Sequence, residues 1–277
     1  MFLLTVFAYY DKIHAKYRKG SGFMLLAVDV GNTNITLGVY EGEHLIFQSR
    51  LATDIRRTSD QYAAEIFGVM QIGGTDVSAI EDAIICSVVP PVGTAITAAI
   101  SKLCDIVPLV LGPGVKTGLN IKIDDPSQLG ADLVAGAVGA LHEYTMPCIV
   151  IDMGTANTVS VLDKNGAFIG GVIAAGVGLT LNALATGTSQ LPFINIEAPQ
   201  SVIGRNTVDC MKSGIVFGAA AMLDGIIDRI ENELGESAAV VATGGRAREI
   251  VSCCNHDIII NDNLLLDGLR IIYEKNS

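Results

Sequence analysis

Two short segments of this chain carry groups on which chemistry can be built. Asp29-Val-Gly-Asn-Thr-Asn-Ile-Thr, residues 29 to 36, closes one apolar run. Asp152-Met-Gly-Thr-Ala-Asn-Thr closes another, 123 residues further on (152 minus 29). Gly31 and Gly154 allow a tight turn and a close backbone approach to a ligand, while Asn32, Thr33, Asn34 and Thr36 add amide and hydroxyl donors. Such a nest suits a phosphate. A carboxylate beside it, Asp29 or Asp152, is placed to hold a hydrated cation that neutralises phosphate oxygens. A single Asp-x-Gly is commonly no more than a hairpin turn. The matched pair favours the phosphate reading, and its spacing of nearly half the chain implies two similar lobes facing one another across a cleft.

Two further pieces extend the pattern. Val240-Val-Ala-Thr-Gly-Gly-Arg delivers Thr243, Gly244 and Gly245 to the mouth of a following helix, where adjacent glycines let a flat ring or a phosphate lie against backbone. Gln128-Leu-Gly-Ala-Asp-Leu-Val-Ala-Gly is an apolar helix pattern with one carboxylate, Asp132, which is costly to bury unless paired or used. An acid near a helix start can simply complement the dipole. The functional alternative is a general base that deprotonates an acceptor hydroxyl for in-line phosphoryl transfer.

The elements that must position these groups alternate strand and helix, the pattern of an α/β fold. Strands are expected at 24–30, 34–40, 44–52, 82–89, 107–111, 118–123, 147–152, 157–162, 167–174, 238–242 and 257–260. Helices are expected at 58–71, 91–104, 127–143, 177–186, 206–234, 245–253 and 262–274. Thr58 or Ser59, Asn206 and Asp262 stand where helix caps belong. The lobe boundary is expected near residues 143–147, giving lobes of 24–144 and 145–277.

The 277 residues suffice for one large domain or two small ones. A net charge of -11 disfavours nucleic acid and anionic lipid, both bound mainly through Lys and Arg. Half the residues are hydrophobic and only 17% are charged, which excludes disorder for the bulk of the chain. Residues 1–23 differ. Met1 to Tyr10 is apolar, and Lys12, Lys16, Arg18 and Lys19 against Asp11 give +3, leaving -14 for the rest. A secretory signal has the opposite order, so a dispensable extension before Met24 is expected. Residues 165–196 are uncharged but broken by glycines and Pro192. A Gly-rich turn leading into a short buried helix is expected there, not a membrane span. The six cysteines have neither disulfide nor zinc-ligand spacing and read as buried free thiols of a cytoplasmic protein.

The order of motifs resembles type III pantothenate kinases. Asp-x-Gly-Asn-Thr-Asn stands at 29–34, Ser-Val-Val-Pro at 87–90, Gly-Ala-Asp at 130–132 and Asp-x-Gly-Thr-Ala at 152–156. Gly-Arg-Asn-Thr follows at 204–207, Thr-Gly-Gly at 243–245 and Asp-Asn-Leu-Leu-Leu-Asp-Gly-Leu at 262–269. The resemblance runs from Met24 to the C-terminus. It implies an actin-like (acetate and sugar kinase, Hsp70, actin) α/β fold, a homodimer, and ATP-dependent phosphorylation of pantothenate as the first step toward coenzyme A. It also implies roles. Asp29, Val30, Gly31, Asn32, Thr33, Asn34, Ile35 and Thr36 would wrap the ATP phosphates, with Asp29 placing magnesium. Thr155 would contact nucleotide. Asp132 would accept the proton, within a substrate segment of Gly130, Ala131, Asp132 and Leu133. Asp152 would hold a monovalent cation, potassium or ammonium, and Thr207 would reach pantothenate near the dimer interface.

Departures from the family pattern gather at the acceptor site. Leu133 replaces the usual Arg, a natural partner for the pantothenate carboxylate, and Ile123 replaces an aromatic residue ahead of Asp124-Asp125-Pro126. Asn157 and Ala175 replace a usual Thr and Pro. Three readings follow: a pantothenate kinase whose acid contact comes from Lys116, Lys122 or Arg205, a paralogous kinase with another hydroxyl acceptor, or a non-catalytic nucleotide-binding regulatory subunit.

Overall fold

The computed structural model describes residues 22–277, so the expected extension, apart from Gly22 and Phe23, lies outside the described residues. The chain divides into two compact units. One runs to Val115 and includes Asn276–Ser277, and the other is Lys116–Lys275. The division falls at a different place from the 143–147 boundary read from the sequence.

In the first unit, β1 (Met24–Val30), β2 (Asn34–Glu41) and β3 (His44–Ala52) form an antiparallel meander. β4 (Asp82–Ser87) and β5 (Leu109–Val110) add parallel strands in the order β3-β2-β1-β4-β5. Alternation gives the sheet two faces. Leu26, Val28 and Val30 of β1, Ile35 and Leu37 of β2 and Ile85 of β4 form one core with α1 (Ser59–Ile72) and α2 (Pro90–Cys104). Asp29, Thr36 and Cys86 fall on the opposite face. Thr58 caps α1 through a reciprocal exchange with Gln61, whose backbone N–H it accepts at 3.3 Å.

The second unit repeats this plan. β7 (Cys148–Met153), β8 (Ala156–Leu162) and β9 (Ala167–Ala175) form a meander, β10 (Ala239–Thr243) and β11 (Ile259–Ile260) lie parallel to β7, and β6 (Asn120–Ile121) joins the far edge. The order is β11-β10-β7-β8-β9-β6. Apart from β6 it matches the first unit strand for strand, so the two Asp-x-Gly segments are equivalent turns of a duplicated sheet.

Helices cover both faces of this second sheet. α3 (Ala131–Glu143) and α7 (Leu264–Glu274) pack on Val150, Leu162 and Val241, while α4 (Val177–Gly187) and α5 (Thr207–Leu234) pack on Ile149, Ile151, Met153 and Val159. The short helix α6 (Ala247–Val251) follows β10. The Gly/Ala bias of α3 has a packing cause. A Cβ at Gly268 would sit 2.7 Å from the Ala135 carbonyl carbon, and one at Gly139 would strike the Leu264 carbonyl oxygen, so α3 and α7 meet backbone to backbone. Although α5 is long and apolar enough to cross a membrane, its Met211, Ile215, Val216, Leu223 and Ile227 fill this core. Residues 165–196 contain β9 and α4 instead of a continuous helix. α4 buries only Val177 and Leu181 and leaves Leu179 and Leu184 exposed, so it is not the buried helix expected there.

Asn206 caps α5, accepting the Asp209 N–H at 2.9 Å. Asp262 does not cap α7. Asn263 holds that position without a side-chain bond, and Asp262 pairs with Arg248 instead. All six cysteines are free, and Cys210 is exposed, contrary to a uniformly buried set.

Candidate active site

The first-unit turn is built by backbone and braced from β3. Gly31 N–H donates to Asn34 O at 3.0 Å. Thr53, at the end of the meander, donates its hydroxyl to Gly31 O at 2.7 Å and its N–H to Thr33 O at 3.0 Å. Asn32, Thr33 and Asn34 are exposed at the tip, in a position to offer donors. Val30 and Ile35 have fully buried side chains in the α1/α2 core, so only their backbone can serve a ligand. Asp29 stands at the strand end with Thr36 opposite it on β2 and Cys86 opposite it on β4, and Cys86 Sγ donates to Asp29 Oδ1 at 3.1 Å.

The second-unit turn has the same layout. Asp152 pairs in register with Thr158 on β8 and Thr243 on β10, so Thr158, Asp152 and Thr243 form a polar row on the α3/α7 face. Thr36, Asp29 and Cys86 form the matching row in the first unit. Gly154 N–H donates to Ala156 O at 3.1 Å, and Gly176, just before α4, donates to Thr155 O at 3.2 Å. Gly244 has φ +96, and a Cβ there would lie 2.6 Å from Asp152 Oδ1 and 2.7 Å from the Met153 backbone. A Cβ at Gly176 would likewise lie 2.6 Å from Gly154 O. Glycine at 176 and 244 therefore lets the turn that carries Asp152, Gly154 and Thr155 pack tightly against its neighbours. Thr243 is buried, whereas Gly245 is exposed at the start of α6.

Asp132 lies in the first turn of α3. Gly136, one turn later, faces Val150 of β7, with a Cβ there reaching 3.9 Å from Val150 Cγ1. Asp152 follows Val150 by two residues on the same strand face, and α3 leads back into β7 through a short connection. Asp132 therefore overlies the end of the sheet where Asp152 stands. The Asp132 carboxylate accepts the Leu133 N–H at 2.8 Å, and burial pushes its pKa above the usual carboxylate range. Gly130 has an ordinary φ of -58. Its role is steric, since a Cβ there would collide with Asp132 Oδ1.

Thr207 is exposed at the first position of α5, and Arg205 is exposed beside it. Ile123 packs on the core beneath α3. Asp125 is engaged locally. It accepts the Ser127 hydroxyl at 2.6 Å, the Ser127 N–H at 3.0 Å and Gln128 Nε2 at 2.9 Å, and these bonds hold its pKa low. Lys122 pairs with Asp163 at 3.3 Å. Two buried polar groups stand out beside the Asp-x-Gly-Thr-Ala turn. Asn157, 1% exposed, has neither amide atom hydrogen-bonded, and Thr158 Oγ1 is buried without a partner. Thr53 carries no local sequence signal, and Cys86 shows only its adjacency to Ser-Val-Val-Pro. Both act through strand pairing.

A family model described as type III pantothenate kinase matches residues 25–229. The chain belongs to the type III pantothenate kinase family. Membership assigns it the ATP-dependent phosphorylation of pantothenate, the entry reaction of coenzyme A biosynthesis. A type III pantothenate kinase of Brevibacillus brevis is 42% identical over 255 residues, covering 91% of this chain and 99% of that protein. One from Exiguobacterium sibiricum is 44% identical over 253 residues, covering 91% and 100%. Among solved structures, a Campylobacter jejuni protein described as a Baf family transcriptional activator superimposes with a TM-score of 0.59 at 19% identity, covering 91% of this chain and 98% of that one. The ethanolamine utilization protein EutJ of Carboxydothermus hydrogenoformans gives 0.54 at 14% identity, covering 90% and 88%. At such identities these two speak for fold alone. The fold is the actin-like α/β arrangement that the motif order implied.

Proposed function

We propose that Asp132 is the general base of this pantothenate kinase and that the two Asp-x-Gly turns hold the nucleotide phosphates and their cations. The observation that carries the assignment is the half-buried Asp132 carboxylate, which accepts the Leu133 N–H, forms no ion pair among the described residues and has its pKa raised by burial. It takes the proton of the acceptor hydroxyl as the oxygen attacks the γ-phosphorus in line, and ADP departs. The first-unit nest, Gly31 to Asn34, offers N–H and side-chain donors to phosphate oxygens. Thr155, Thr243, Gly244 and Gly245 take the remaining nucleotide contacts. No group of three or more Asp, Glu, His or Cys side chains placed to hold a metal ion is present among the described residues. A single carboxylate, Asp29, fits magnesium, which keeps much of its shell as water and phosphate. Asp152 with the Thr158 and Thr243 hydroxyls is an all-oxygen donor set that fits a potassium or ammonium ion. When bound, these cations would neutralise phosphate charge.

Leu133 leaves the pantothenate carboxylate without the usual guanidinium. Lys122 is tied to Asp163, while Arg205 is exposed beside Thr207, so Arg205 is our choice for that contact. A homodimer is supported by exposed apolar side chains on β9, α4 and the segment leading to α5, including Ile173, Leu179, Phe193, Val202 and Ile203. Six free thiols and a metabolic substrate suit the cytoplasm. The test is ADP release by the full chain with ATP, magnesium and potassium, with and without pantothenate. Pantothenate-dependent turnover abolished in Asp132→Asn is expected. Turnover that persists in that variant overturns the base assignment, and turnover only with another hydroxyl acceptor would make Leu133 the mark of a paralogue.

A further inference from the structure

The two polar rows differ in one member. In the second unit the residue on the parallel strand beside Asp152 is Thr243, and in the first unit the residue in that place beside Asp29 is Cys86. Cys86 is fully buried, and its Sγ donates to Asp29 Oδ1 at 3.1 Å, across a pairing that is 57 residues apart in sequence. Threonine and cysteine share a small volume and a hydrogen to donate, and an alanine or valine would fill the slot without the donor. A carboxylate at a strand end next to a glycine turn has several accessible rotamers. A hydrogen bond from a fixed, buried donor selects one of them.

We propose that Cys86 is a positioning residue for Asp29, holding its carboxylate in the orientation that meets the magnesium of bound ATP. The inference rests on the role given to Asp29 above. The thiol acts only as a donor, with no covalent step. It accounts for a polarisable, weakly polar side chain on the sheet face opposite the α1/α2 core, directly before Ser-Val-Val-Pro.

The test is calorimetric binding of ATP to the full chain, with magnesium and again in chelator, for wild type, Cys86→Ala, Cys86→Val, Cys86→Ser and Asp29→Asn, with a thermal melt of each. Loss of a donor to a charged acceptor is expected to weaken magnesium-ATP binding about tenfold in Cys86→Ala and Cys86→Val. ATP binding in chelator should stay unchanged, and Cys86→Ser, which keeps a donor, should recover most of the loss. Wild-type magnesium-ATP affinity in Cys86→Val, or in Cys86→Ala with only a lowered melting temperature, would make Cys86 a space-filling side chain and overturn the proposal. A loss in Cys86→Ser as large as in Cys86→Val would do the same, because the donor would then not matter. Undiminished magnesium-ATP binding in Asp29→Asn would instead remove the role of Asp29 itself, whatever the cysteine variants do.

Discussion

Gly130→Ala separates the position of the Asp132 carboxylate, our proposed general base, from the stability of the helix that carries it. The backbone at Gly130 is one that any residue adopts, φ -58 and ψ 140, so alanine brings no conformational strain. Its Cβ, however, would overlap Asp132 Oδ1, and ordinary contact begins only at 3.4 Å. The carboxylate has to retreat by about 1 Å, a displacement that costs about a hundredfold in rate when it occurs at a reacting group. Stability should barely move. Alanine is a poorer N-cap than glycine, but it lowers the entropy of the unfolded chain by about 0.4 to 1 kcal/mol, and the two effects oppose each other. The assay is steady-state ADP release at saturating ATP with pantothenate varied, alongside a urea titration. kcat and kcat/KM should fall together, with the unfolding midpoint close to wild type. A variant within about threefold of wild type in kcat would refute the reasoning, since a displacement of that size at a proton acceptor cannot be neutral. So would a variant that loses activity only because it is largely unfolded.

Other perturbations probe separate parts of the molecule. The Asp132 carboxyl is raised above its ordinary 3.8 by burial, so ionising it costs folded-state stability as pH rises through and above that value. Asp132→Asn should therefore melt above wild type at neutral pH, with the gap closing on acidification toward 3.8; a lower melting temperature at pH 7 would contradict this. Arg205→Ala should raise KM for pantothenate about tenfold or more through loss of a charge-assisted bond, leaving KM for ATP unchanged. An unchanged pantothenate KM would mean that the acid is held elsewhere. Asp224 of α5, buried, accepts the Asn255 N–H at 2.9 Å, Asn255 Nδ2 at 3.0 Å and the His256 N–H at 3.2 Å. Its replacement by Ala should cost about 2 to 3 kcal/mol in urea unfolding without a change in KM for either substrate. Asn157→Thr removes a buried amide with no partner and should raise the melting temperature; a fall would show that the amide contributes to stability despite lacking a partner.

How far the chain's structure can be read in advance depends on the range of the interactions concerned. Eleven strands and seven helices fall close to where hydrophobic periodicity puts them, because alternation and the 3.6-residue period are local consequences of one-sided burial. The caps at Thr58 and Asn206 are local too, each reaching three residues ahead. So are the Asp-x-Gly turns, whose repetition implied two similar lobes, and each turn lies in a sheet of like strand order. Asp262 misleads because the side chain that looked like a cap reaches Arg248 instead. The alignment of Cys86 with Asp29, the bracing of Gly31 by Thr53, and the position of Asp132 over the Asp152 end of the sheet are decided only by tertiary structure. Each depends on strand register or on the packing of α3 against β7, and a one-residue slip in register would turn the side chain to the other face. The sequence by itself determined which residue types are available for phosphoryl transfer and which elements carry them. Folding decided which of them meet and which, like Val30 and Ile35, are turned into the core, because those contacts join residues far apart in the chain.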